Sequence, residues 1–381
     1  MKTSATVYPS SLLGTLEVIK SKSEAVRAII CAAFGGGTVE NLDAVLSDDV
    51  IAARNAARAI LSDKTLIIHA GESASVLRFL IPLAIMLKKT SIIVSDSLIP
   101  RTVLPYSECL KYAKIEKQGD RYELSGEIRP GLFKLRGDIS SQFISGLMFA
   151  LPLLNGDSVI ELTTSLESRS YVQMTMDSLL KADIYIKETD SGFFIRGNQK
   201  YMPYRYTLSG DYTYAANFIV ANALGAHINF IGLREASIQG DSAIYRLINE
   251  TEIDISNTPD LFPILAVLAC FRNTVTRIYN VKRLTLKECD RFSCMTSELK
   301  KLGANLALSS DDVKIFGEGG LNGGTVDSHG DHRLVMALAI AAANARAPVV
   351  INNHLCVKKS APRFFEEFQA MGGKVIEYMG N

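Results

Sequence analysis

The sequence has no tryptophan, no pair of cysteines in CxxC spacing and no apolar run long enough to cross a bilayer. Its most apolar stretch, Phe79 to Leu87, is short and is followed by Lys88 and Lys89, which argues against a membrane span. The start, MKTSATVYPS, lacks the basic-then-apolar pattern of a signal peptide. We therefore expect a protein of a reducing, cytoplasmic compartment without membrane association.

A strong charge of either sign is also missing. Lys and Arg total 41 and Asp and Glu total 40, so the formal net charge is +1. This balance argues against a protein dedicated to nucleic acid or to a membrane surface. With 381 residues, 48% of them hydrophobic and 21% charged, the chain has the composition of an ordinary globular protein and the length of two domains.

Nucleotide-binding loops and metal motifs are likewise not found. Phe34-Gly-Gly-Gly37 runs into a β-rich segment rather than a helix, and Gly317 to Gly324 is typical of a turn between strands. The five histidines show neither HExxH nor paired metal spacing, and no Cys/His cluster has zinc-ligand spacing. We expect no nucleotide cofactor and no metal.

What the sequence does contain is a repeated alternation of short β-rich runs and apolar helices. The pattern predicts an α/β protein whose helices are apolar on most faces and are covered by sheets. The predicted strands are 37–40, 156–162, 226–231, 273–279 and 348–352. The predicted helices are 23–34, 75–87, 141–154, 214–224 and 332–344.

The predicted helix starts carry cations as well as capping residues. Ser, Thr and Asp at these places are explained by N-capping alone. Lys22, Arg27, Lys287, Arg291 and Arg333 are not, because a cation at a helix N-terminus opposes the helix dipole. Repetition of this placement indicates one or two strongly anionic ligands.

Seven of these segments resemble, in the same order, motifs of the EPSP synthase family. They are Ser21-Lys-Ser23 with Arg27, His69 to Arg78, Leu135-Arg-Gly-Asp-Ile-Ser-Ser-Gln-Phe143, Asn257-Thr-Pro-Asp260, Leu286-Lys-Glu-Cys-Asp-Arg291, Asp331-His-Arg333 and Val357-Lys-Lys-Ser-Ala-Pro362. A single match is weak evidence, whereas seven in the order of the family are specific. The resemblance covers nearly the whole chain.

The resemblance implies the two-domain enolpyruvyl transferase fold. In this α/β fold each domain contains three βαβαββ units, with helices inside and sheets outside. The chain is expected to start in one domain, build the other and return. The expected boundaries give a discontinuous first domain, residues 1–20 plus 211–381, and a second domain, residues 21–210.

The resemblance also implies two small anionic substrates, shikimate 3-phosphate and phosphoenolpyruvate, with no metal or organic cofactor and with a monomeric enzyme. The residues expected to bind shikimate 3-phosphate are Lys22, Ser23, Arg27, Ser140, Ser141, Gln142, Ser168, Asp260 and Lys287. The residues expected to bind phosphoenolpyruvate are Lys22, Ala74, Arg101, Gln142, Arg291, Arg333 and Lys359. Arg78 either joins the second set or pairs inside its domain.

The implied reaction adds the 5-hydroxyl of shikimate 3-phosphate to C2 of phosphoenolpyruvate and then eliminates phosphate. Asp260 is the candidate base for the hydroxyl, and Lys22 and Glu288 are candidates for delivering and removing the methylene proton. The cations stabilise the charge on the leaving phosphate. An alternative for Glu288 is a helix ion pair with Arg291.

The sequence departs from the family at several positions. Val26 replaces the usual Asn or His, Ala74 the usual Gly, and Thr102 the usual Pro after Arg101. Asp63-Lys-Thr65 follows the predicted helix ending near Leu61 at once, so a hairpin of the family is missing. The methyl group of Ala74 is expected to shorten the phosphoenolpyruvate pocket and to make the enzyme insensitive to glyphosate.

Two other functions remain open on the sequence alone. The first is the sister transferase that acts on a UDP-sugar and shares the fold. The motifs Lys287-Glu-Cys-Asp-Arg291 and Ser140-Ser-Gln142 argue against it, as does the lack of a Cys near Arg101. The second is a catalytically weak relative that only binds an anionic sugar phosphate.

Overall fold

The structure, a computed structural model, describes residues 3–43, 46–62, 66–98 and 103–380. Arg101, Thr102 and Asp63 to Thr65, on which three of the expectations fall, lie outside the described residues. Within the described part, the α-helices in chain order are α1 Lys22–Gly35, α2 Asp48–Leu61, α3 Ala74–Met86, α4 Leu104–Cys109, α5 Ser141–Ala150, α6 Arg169–Lys181, α7 Tyr212–Ala223, α8 Ile244–Leu247, α9 Phe262–Phe271, α10 Arg291–Lys301, α11 His332–Ala343 and α12 Phe364–Ala370.

Short strands alternate with these helices. In chain order they are β1 Ser4–Tyr8, β2 Leu13–Glu17, β3 Thr38–Glu40, β4 Ile67–Gly71, β5 Ser91–Val94, β6 Ala113–Gln118, β7 Arg121–Gly126, β8 Leu132–Leu135, β9 Ser158–Leu162, β10 Ile186–Thr189, β11 Gly192–Ile195, β12 Arg205–Thr207, β13 His227–Ile231, β14 Glu252–Asp254, β15 Val275–Tyr279, β16 Asn305–Leu308, β17 Asp312–Phe316, β18 Gly324–Asp327, β19 Val349–Asn352 and β20 Lys374–Tyr378.

The chain divides into two compact units. One, here called the terminal unit, contains Met1–Ile19 and Ser209–Asn381, and the other, the inserted unit, contains Lys20–Leu208. The terminal unit has sheets ordered β14-β15-β17-β16, β18-β19-β1-β20 and β13-β2. The inserted unit has sheets ordered β4-β5-β7-β6, β10-β11-β9-β8 and β12-β3.

The four larger sheets share one topology. In each, the first two strands are parallel and are joined through a helix, and in three of the sheets a hairpin then adds two antiparallel strands, as for β14, β15, β16 and β17. A parallel pair needs such a crossover, whereas antiparallel neighbours are joined by a tight turn. In the sheet of β18 and β19 the place of the hairpin is taken by β20 together with β1, the first strand of the chain.

In the described part of the chain, the two smaller sheets contain one parallel pair of strands each, β12 with β3 and β13 with β2. In the inserted unit α2 ends at Leu61 and β4 begins at Ile67.

The helices fill the interior and the sheets cover them. All residues of α9 except its last one are buried, and α11 has a single partly exposed residue, Arg333. The strands instead alternate, as in β1, where Ala5 and Val7 are buried and their neighbours are partly exposed. Helices without a polar face can be stable only inside a protein. No helix among the described residues has both the length and the hydropathy required to span a membrane.

Helices α3 and α5 of the inserted unit approach each other closely at Gly146. A Cβ atom at this position would lie 2.0 Å from Tyr106 Oη and 2.4 Å from the carbonyl oxygen of Arg78. The same hydroxyl donates hydrogen bonds to the carbonyl oxygens of Arg78, at 2.6 Å, and of Phe143, at 3.1 Å. The absence of a side chain at residue 146 therefore sets the spacing of α3, Tyr106 and α5.

We predict that Gly146→Ala destabilises the protein. In an ordinary helix interior this change is stabilising by up to ~1 kcal/mol. Here the added methyl group meets a backbone oxygen that cannot move alone, and overpacking of this kind costs ~1–3 kcal/mol. Urea unfolding should therefore give a lower free energy of unfolding for Gly146→Ala than for the wild type. The control Ser297→Ala, on the exposed face of α10, should leave the free energy of unfolding nearly unchanged. An increase in stability for Gly146→Ala would contradict the packing described here.

Candidate functional site

Among the helices at predicted site residues, α1, α5, α10 and α11 begin with a side-chain cap. Within the inserted unit, Ser21 accepts from the backbone N–H of Glu24 at the start of α1, and Ser140 accepts from that of Gln142 at the start of α5. In the terminal unit, Asp290 and Asp331 cap α10 and α11 in the same way. Capping satisfies N–H groups that have no intrahelical partner, and it fixes the direction of the residues that follow.

Lys22, the first residue of α1, is bound to a carboxylate. Its Nζ atom lies 2.7 Å from Oδ2 of Asp49, a buried residue at the start of α2. Asp49 was not predicted from the sequence as a site residue. The only local feature that marks it is the acidic pair Asp48-Asp49 directly after Ser47, the N-cap residue of α2. The pair holds the ammonium group at the amino ends of α1 and α2, where an isolated cation would be unfavourable.

Arg27 points into the interior of the inserted unit. It donates from Nε to Thr175 Oγ1 at 2.8 Å, from Nη1 to the carbonyl oxygen of Ser23 at 2.8 Å and from Nη2 to that of Tyr171 at 3.0 Å. Its guanidinium carbon lies 5.0 Å from the ring centre of Phe79 and 5.9 Å from that of Tyr171. Burial lowers the pKa of Arg27 to about 10, so the side chain remains charged at neutral pH.

The start of α5 presents Ser140, Ser141 and Gln142 as one group. Arg78 of α3 donates from Nη1 to Gln142 Oε1 at 2.9 Å and to Ser140 Oγ at 3.5 Å, and its guanidinium group lies over the ring of Phe143. These contacts orient Gln142. Ser168, which precedes α6, is buried and adopts a left-handed conformation with φ of 53°.

The terminal unit contains a cluster of opposite charges around Arg291, the first residue of α10. This guanidinium group is fully buried and donates to three carboxylates: Nε to Asp331 Oδ2 at 2.8 Å, Nη1 to Asp260 Oδ1 at 2.7 Å and Nη2 to Glu288 Oε2 at 2.6 Å. Charge-assisted bonds of this geometry are the strongest that side chains form. The ion pair of Glu288 with Arg291, considered above as an alternative role for Glu288, is therefore present.

Asp260 lies among three cations. Its oxygens are 2.7 Å from Arg291 Nη1, 2.7 Å from Arg333 Nη2 and 3.2 Å from Lys287 Nζ. Burial acts to raise the pKa of Asp260, but the charges of Arg333, Lys287 and Arg291 outweigh it and hold the pKa well below its usual range. Burial in turn lowers the pKa of Lys287 to about 8, although the charge of Asp260 acts to raise it.

Two further residues belong to this charge cluster. Lys359 Nζ lies 3.8 Å from Glu288 Oε1. Asp241, which sequence reasoning did not select, is buried and accepts a short hydrogen bond from the hydroxyl of Thr213. Burial first and the charge of Asp260 second raise the pKa of Asp241 to about 7. A buried carboxyl group that can be neutral lowers the repulsion between the acids of the cluster.

The sequence candidates thus form one group in each unit. Lys22, Ser23 and Arg27 share α1 in the inserted unit, whose other candidates lie at the starts of α3, α5 and α6. Asp260, Lys287, Glu288, Arg291, Arg333 and Lys359 are linked by ion pairs in the terminal unit. Arg101 lies outside the described residues. Among the residues that are described, no group of three or more His, Cys, Asp or Glu side chains is arranged to hold a metal ion.

Comparison with known sequences gives a consistent result. The family model of EPSP synthase (3-phosphoshikimate 1-carboxyvinyltransferase) matches residues 7–252 and 245–368. The 3-phosphoshikimate 1-carboxyvinyltransferase of Clostridium perfringens strain 13 is 38% identical over 421 aligned positions, which cover 97% of this chain and 99% of the relative. That of Clostridioides difficile strain 630 is 35% identical over 431 positions and covers 98% of each chain.

Solved structures agree in fold. An EPSP synthase from Acinetobacter baumannii has a TM-score of 0.81 at 19% identity and covers 99% of this chain and 100% of its own. The enolpyruvyl transferase NikO from Streptomyces tendae has a TM-score of 0.76 at 15% identity over all of both chains. The expected two-domain enolpyruvyl transferase fold is therefore confirmed. On the family match and the identity over almost the entire length, this chain belongs to the EPSP synthase family.

Proposed function

We propose that the protein transfers the enolpyruvyl group of phosphoenolpyruvate to the 5-hydroxyl group of shikimate 3-phosphate and releases phosphate. The observation that carries the proposal is the cluster of Asp260, Lys287, Glu288, Arg291 and Arg333, which brings proton acceptors and cations together in one unit. The family to which the chain belongs supports it. A coupled assay of phosphate release with both substrates tests it, and the UDP-sugar in place of shikimate 3-phosphate should give no phosphate.

Shikimate 3-phosphate is assigned to the starts of α1, α5 and α6. Lys22, Ser23, Ser140, Ser141, Gln142 and Ser168 supply hydroxyl, amide and ammonium donors there, and Asp260 and Lys287 complete the set. Short directional hydrogen bonds of this kind suit a polyol that carries a phosphate. Arg27 stays assigned to shikimate 3-phosphate. Because its three nitrogens donate inside the unit, the role assigned to it is electrostatic: its charge acts on the phosphate through the field at the helix starts.

Phosphoenolpyruvate carries a carboxylate and a phosphate, and it is assigned to Lys22, Ala74, Arg101, Gln142, Arg291, Arg333 and Lys359. In the structure the cations of this set that are described bind carboxylates: Lys22 binds Asp49, and Arg333 binds Asp260. Arg291 is fully buried, so its contribution is to hold the cluster and to set its potential. The anionic ligand competes with Asp260 and Asp49 for the remaining cations.

Asp260 is assigned the role of base for the 5-hydroxyl group. With its pKa held well below the usual range, it is ionised but is a weak proton acceptor. A bound phosphate or carboxylate offsets the field of Arg333 and Lys287 and so makes Asp260 more basic. The base thus gains strength when its substrates are present, which favours the addition step over idle proton exchange.

Lys22 and Glu288 are assigned to the proton at C3. During addition the 5-oxygen bonds to C2 while C3 gains a proton, and during elimination C3 returns that proton as the bond from C2 to the phosphate oxygen breaks. Lys22 is charged and can donate, whereas Glu288 accepts from Arg291 Nη2 through one oxygen. The cations stabilise the departing phosphate. We further propose a monomeric enzyme of the cytoplasm.

We predict that Asp260→Asn and Glu288→Gln lower kcat by about 10²–10⁴-fold, the usual effect of losing a general acid or base. Both substitutions keep the shape of the side chain, so the affinity for shikimate 3-phosphate should change less than kcat. The control is Asp312→Asn, since Asp312 also pairs with an arginine, Arg277, but on the surface. A near-normal kcat for either test variant would refute the role given to that residue.

We predict that the affinity for shikimate 3-phosphate falls above pH 8. Lys287 is charged below its pKa of about 8 and neutral above it, so an anion that needs the charge should bind up to about tenfold more weakly for each further pH unit. Calorimetric titration between pH 7 and pH 9.5 measures this loss. Arginine stays charged over the whole range, and Lys287→Arg should therefore remove the inflection. An unchanged profile in that variant would assign the inflection to another group.

We predict that the enzyme is insensitive to glyphosate because of Ala74. This residue is the first of α3 and is 7% exposed, at the position where the family has Gly against phosphoenolpyruvate. A clash of one methyl group with the longer inhibitor costs ~1–3 kcal/mol, or about 5- to 150-fold in affinity. Ala74→Gly should lower the inhibition constant by this factor. The control Ala223→Gly, at the exposed end of α7, should leave the inhibition constant unchanged. Equal inhibition constants for the wild type and both variants would contradict the role given to Ala74.

A further inference from the structure

A buried layer of polar side chains lies one helical turn below the helix starts of the inserted unit. It consists of Arg27 in α1, Ser145 in α5 and Thr175 in α6, which are 3%, 0% and 0% exposed. Each side chain lies four residues after a residue in the first turn of its helix, namely Ser23, Ser141 or Tyr171. Buried polar groups of this kind are costly unless they are fully hydrogen-bonded, so their arrangement indicates a specific role.

Thr175 is the centre of the layer. Its Oγ1 lies 2.8 Å from Arg27 Nε, 2.8 Å from Ser145 Oγ and 3.1 Å from the carbonyl oxygen of Tyr171. A hydroxyl group has one proton to donate and two lone pairs. When the proton goes to the carbonyl oxygen of Tyr171, the lone pairs accept from Arg27 and from Ser145. The three neighbours thus use the whole capacity of this oxygen.

Arg27 connects the layer to the first turns of two helices. Its Nη1 donates to the carbonyl oxygen of Ser23 in the first turn of α1, and its Nη2 donates to that of Tyr171 in the first turn of α6. The rings of Phe79 and Tyr171 flank the guanidinium group. Because all three of its nitrogens donate hydrogen bonds and two rings lie against it, the planar guanidinium group has little freedom to rotate. The layer therefore joins α1, α5 and α6 in a fixed relative position.

We propose that Thr175 is a positioning residue for shikimate 3-phosphate, because its hydroxyl group sets the relative positions of the helix starts that carry Ser23, Ser140 and Ser168. The proposal rests on the function proposed above, since it requires that these helix starts bind the substrate. A ligand held by donors from three helices needs all three in register, and small displacements weaken several hydrogen bonds at once. Thr175 itself lies in the interior and has no contact with the substrate.

The alternative is that Thr175 only stabilises the core. The chain offers a matched control for this alternative in the terminal unit. Thr276 of β15 is also 0% exposed and also accepts from an arginine, from Arg272 Nη1 at 3.1 Å. Arg272 otherwise donates to the carbonyl oxygens of Glu250 and Ile248, and none of these residues is assigned to substrate. Loss of either hydroxyl group should cost stability, but only one should alter substrate binding.

The experiment compares Thr175→Val, Thr175→Ser and Thr276→Val with the wild-type protein. Calorimetry measures the Kd for shikimate 3-phosphate, phosphate release gives KM and kcat, and thermal unfolding gives Tm. Valine keeps the shape of threonine without its hydroxyl group, so Arg27 Nε and the carbonyl oxygen of Tyr171 lose a partner. We expect Thr175→Val to raise both Kd and KM roughly tenfold, the order of effect of one lost hydrogen bond to a charged group, with a smaller change in kcat.

Thr175→Ser retains the hydroxyl group and should restore Kd to near the wild-type value, while Thr276→Val should lower Tm and leave Kd unchanged. Should Thr175→Val not fold, Ser145→Ala removes one partner of the same oxygen and should raise Kd in the same direction. A folded Thr175→Val with a wild-type Kd would overturn the positioning role, as would an equal rise in Kd for Thr276→Val. A wild-type protein that neither binds shikimate 3-phosphate nor releases phosphate would instead overturn the proposed function itself.

Discussion

The charge cluster of the terminal unit depends on the buried guanidinium group of Arg291. Its three nitrogens bind carboxylates from three separate segments, Asp260, Glu288 and Asp331. Taking such a cation out of water is costly, and only well-placed carboxylates compensate it. Removal of Arg291 would leave three acids without their shared partner, a change of the kind that costs ~3–5 kcal/mol in a protein interior. The positions of the candidate base and of Glu288 follow from this one residue.

The same principle explains why cations can stand at the helix starts. Lys22 would oppose the dipole of α1 if it were alone, but Asp49 offsets its charge. In the terminal unit Arg333 is offset by Asp260 in the same way. Under the proposed function, each of these carboxylates binds a cation that is assigned to an anionic substrate. The exchange of an internal carboxylate for a phosphate or carboxylate of the substrate keeps the local charge balanced, so that binding does not create an isolated buried charge.

The sequence predicted the parts of the fold that are set by local pattern. The apolar helices α3 and α11 were expected at 75–87 and 332–344 and are found at Ala74–Met86 and His332–Ala343, because helices without a polar face have a clear signature. The expected helix at 141–154 is shorter, since α5 ends at Ala150 and a 3₁₀ turn follows. Pro152 in that turn cannot donate the backbone hydrogen bond that an α-helix requires there.

Long-range pairing could not be read from the sequence. Asp49 and Asp331 were not selected as site residues, since the partners Lys22 and Arg291 lie 27 and 40 positions away. The binding of shikimate 3-phosphate by Arg27 stays a prediction, and nothing in the sequence indicates that this residue also donates to Thr175, 148 positions further along the chain. Local spacing predicts which residue types gather at a helix start. It does not determine which of them turn inward, because that depends on helices packed from distant segments. The individual substrate contacts remain predictions.

The pairing of β1 with β19 and β20 bears on how the protein is made. The inserted unit is continuous, so all of it has left the ribosome once Leu208 has emerged, and it can fold while synthesis continues. The terminal unit has no such option. Ala5 and Val7 of β1 pair with Ile351 and Val349 on one side and with Glu377 and Val375 on the other. β1 can therefore complete its pairing only after β19 and β20 have been synthesised, so the terminal unit folds after the inserted unit has left the ribosome.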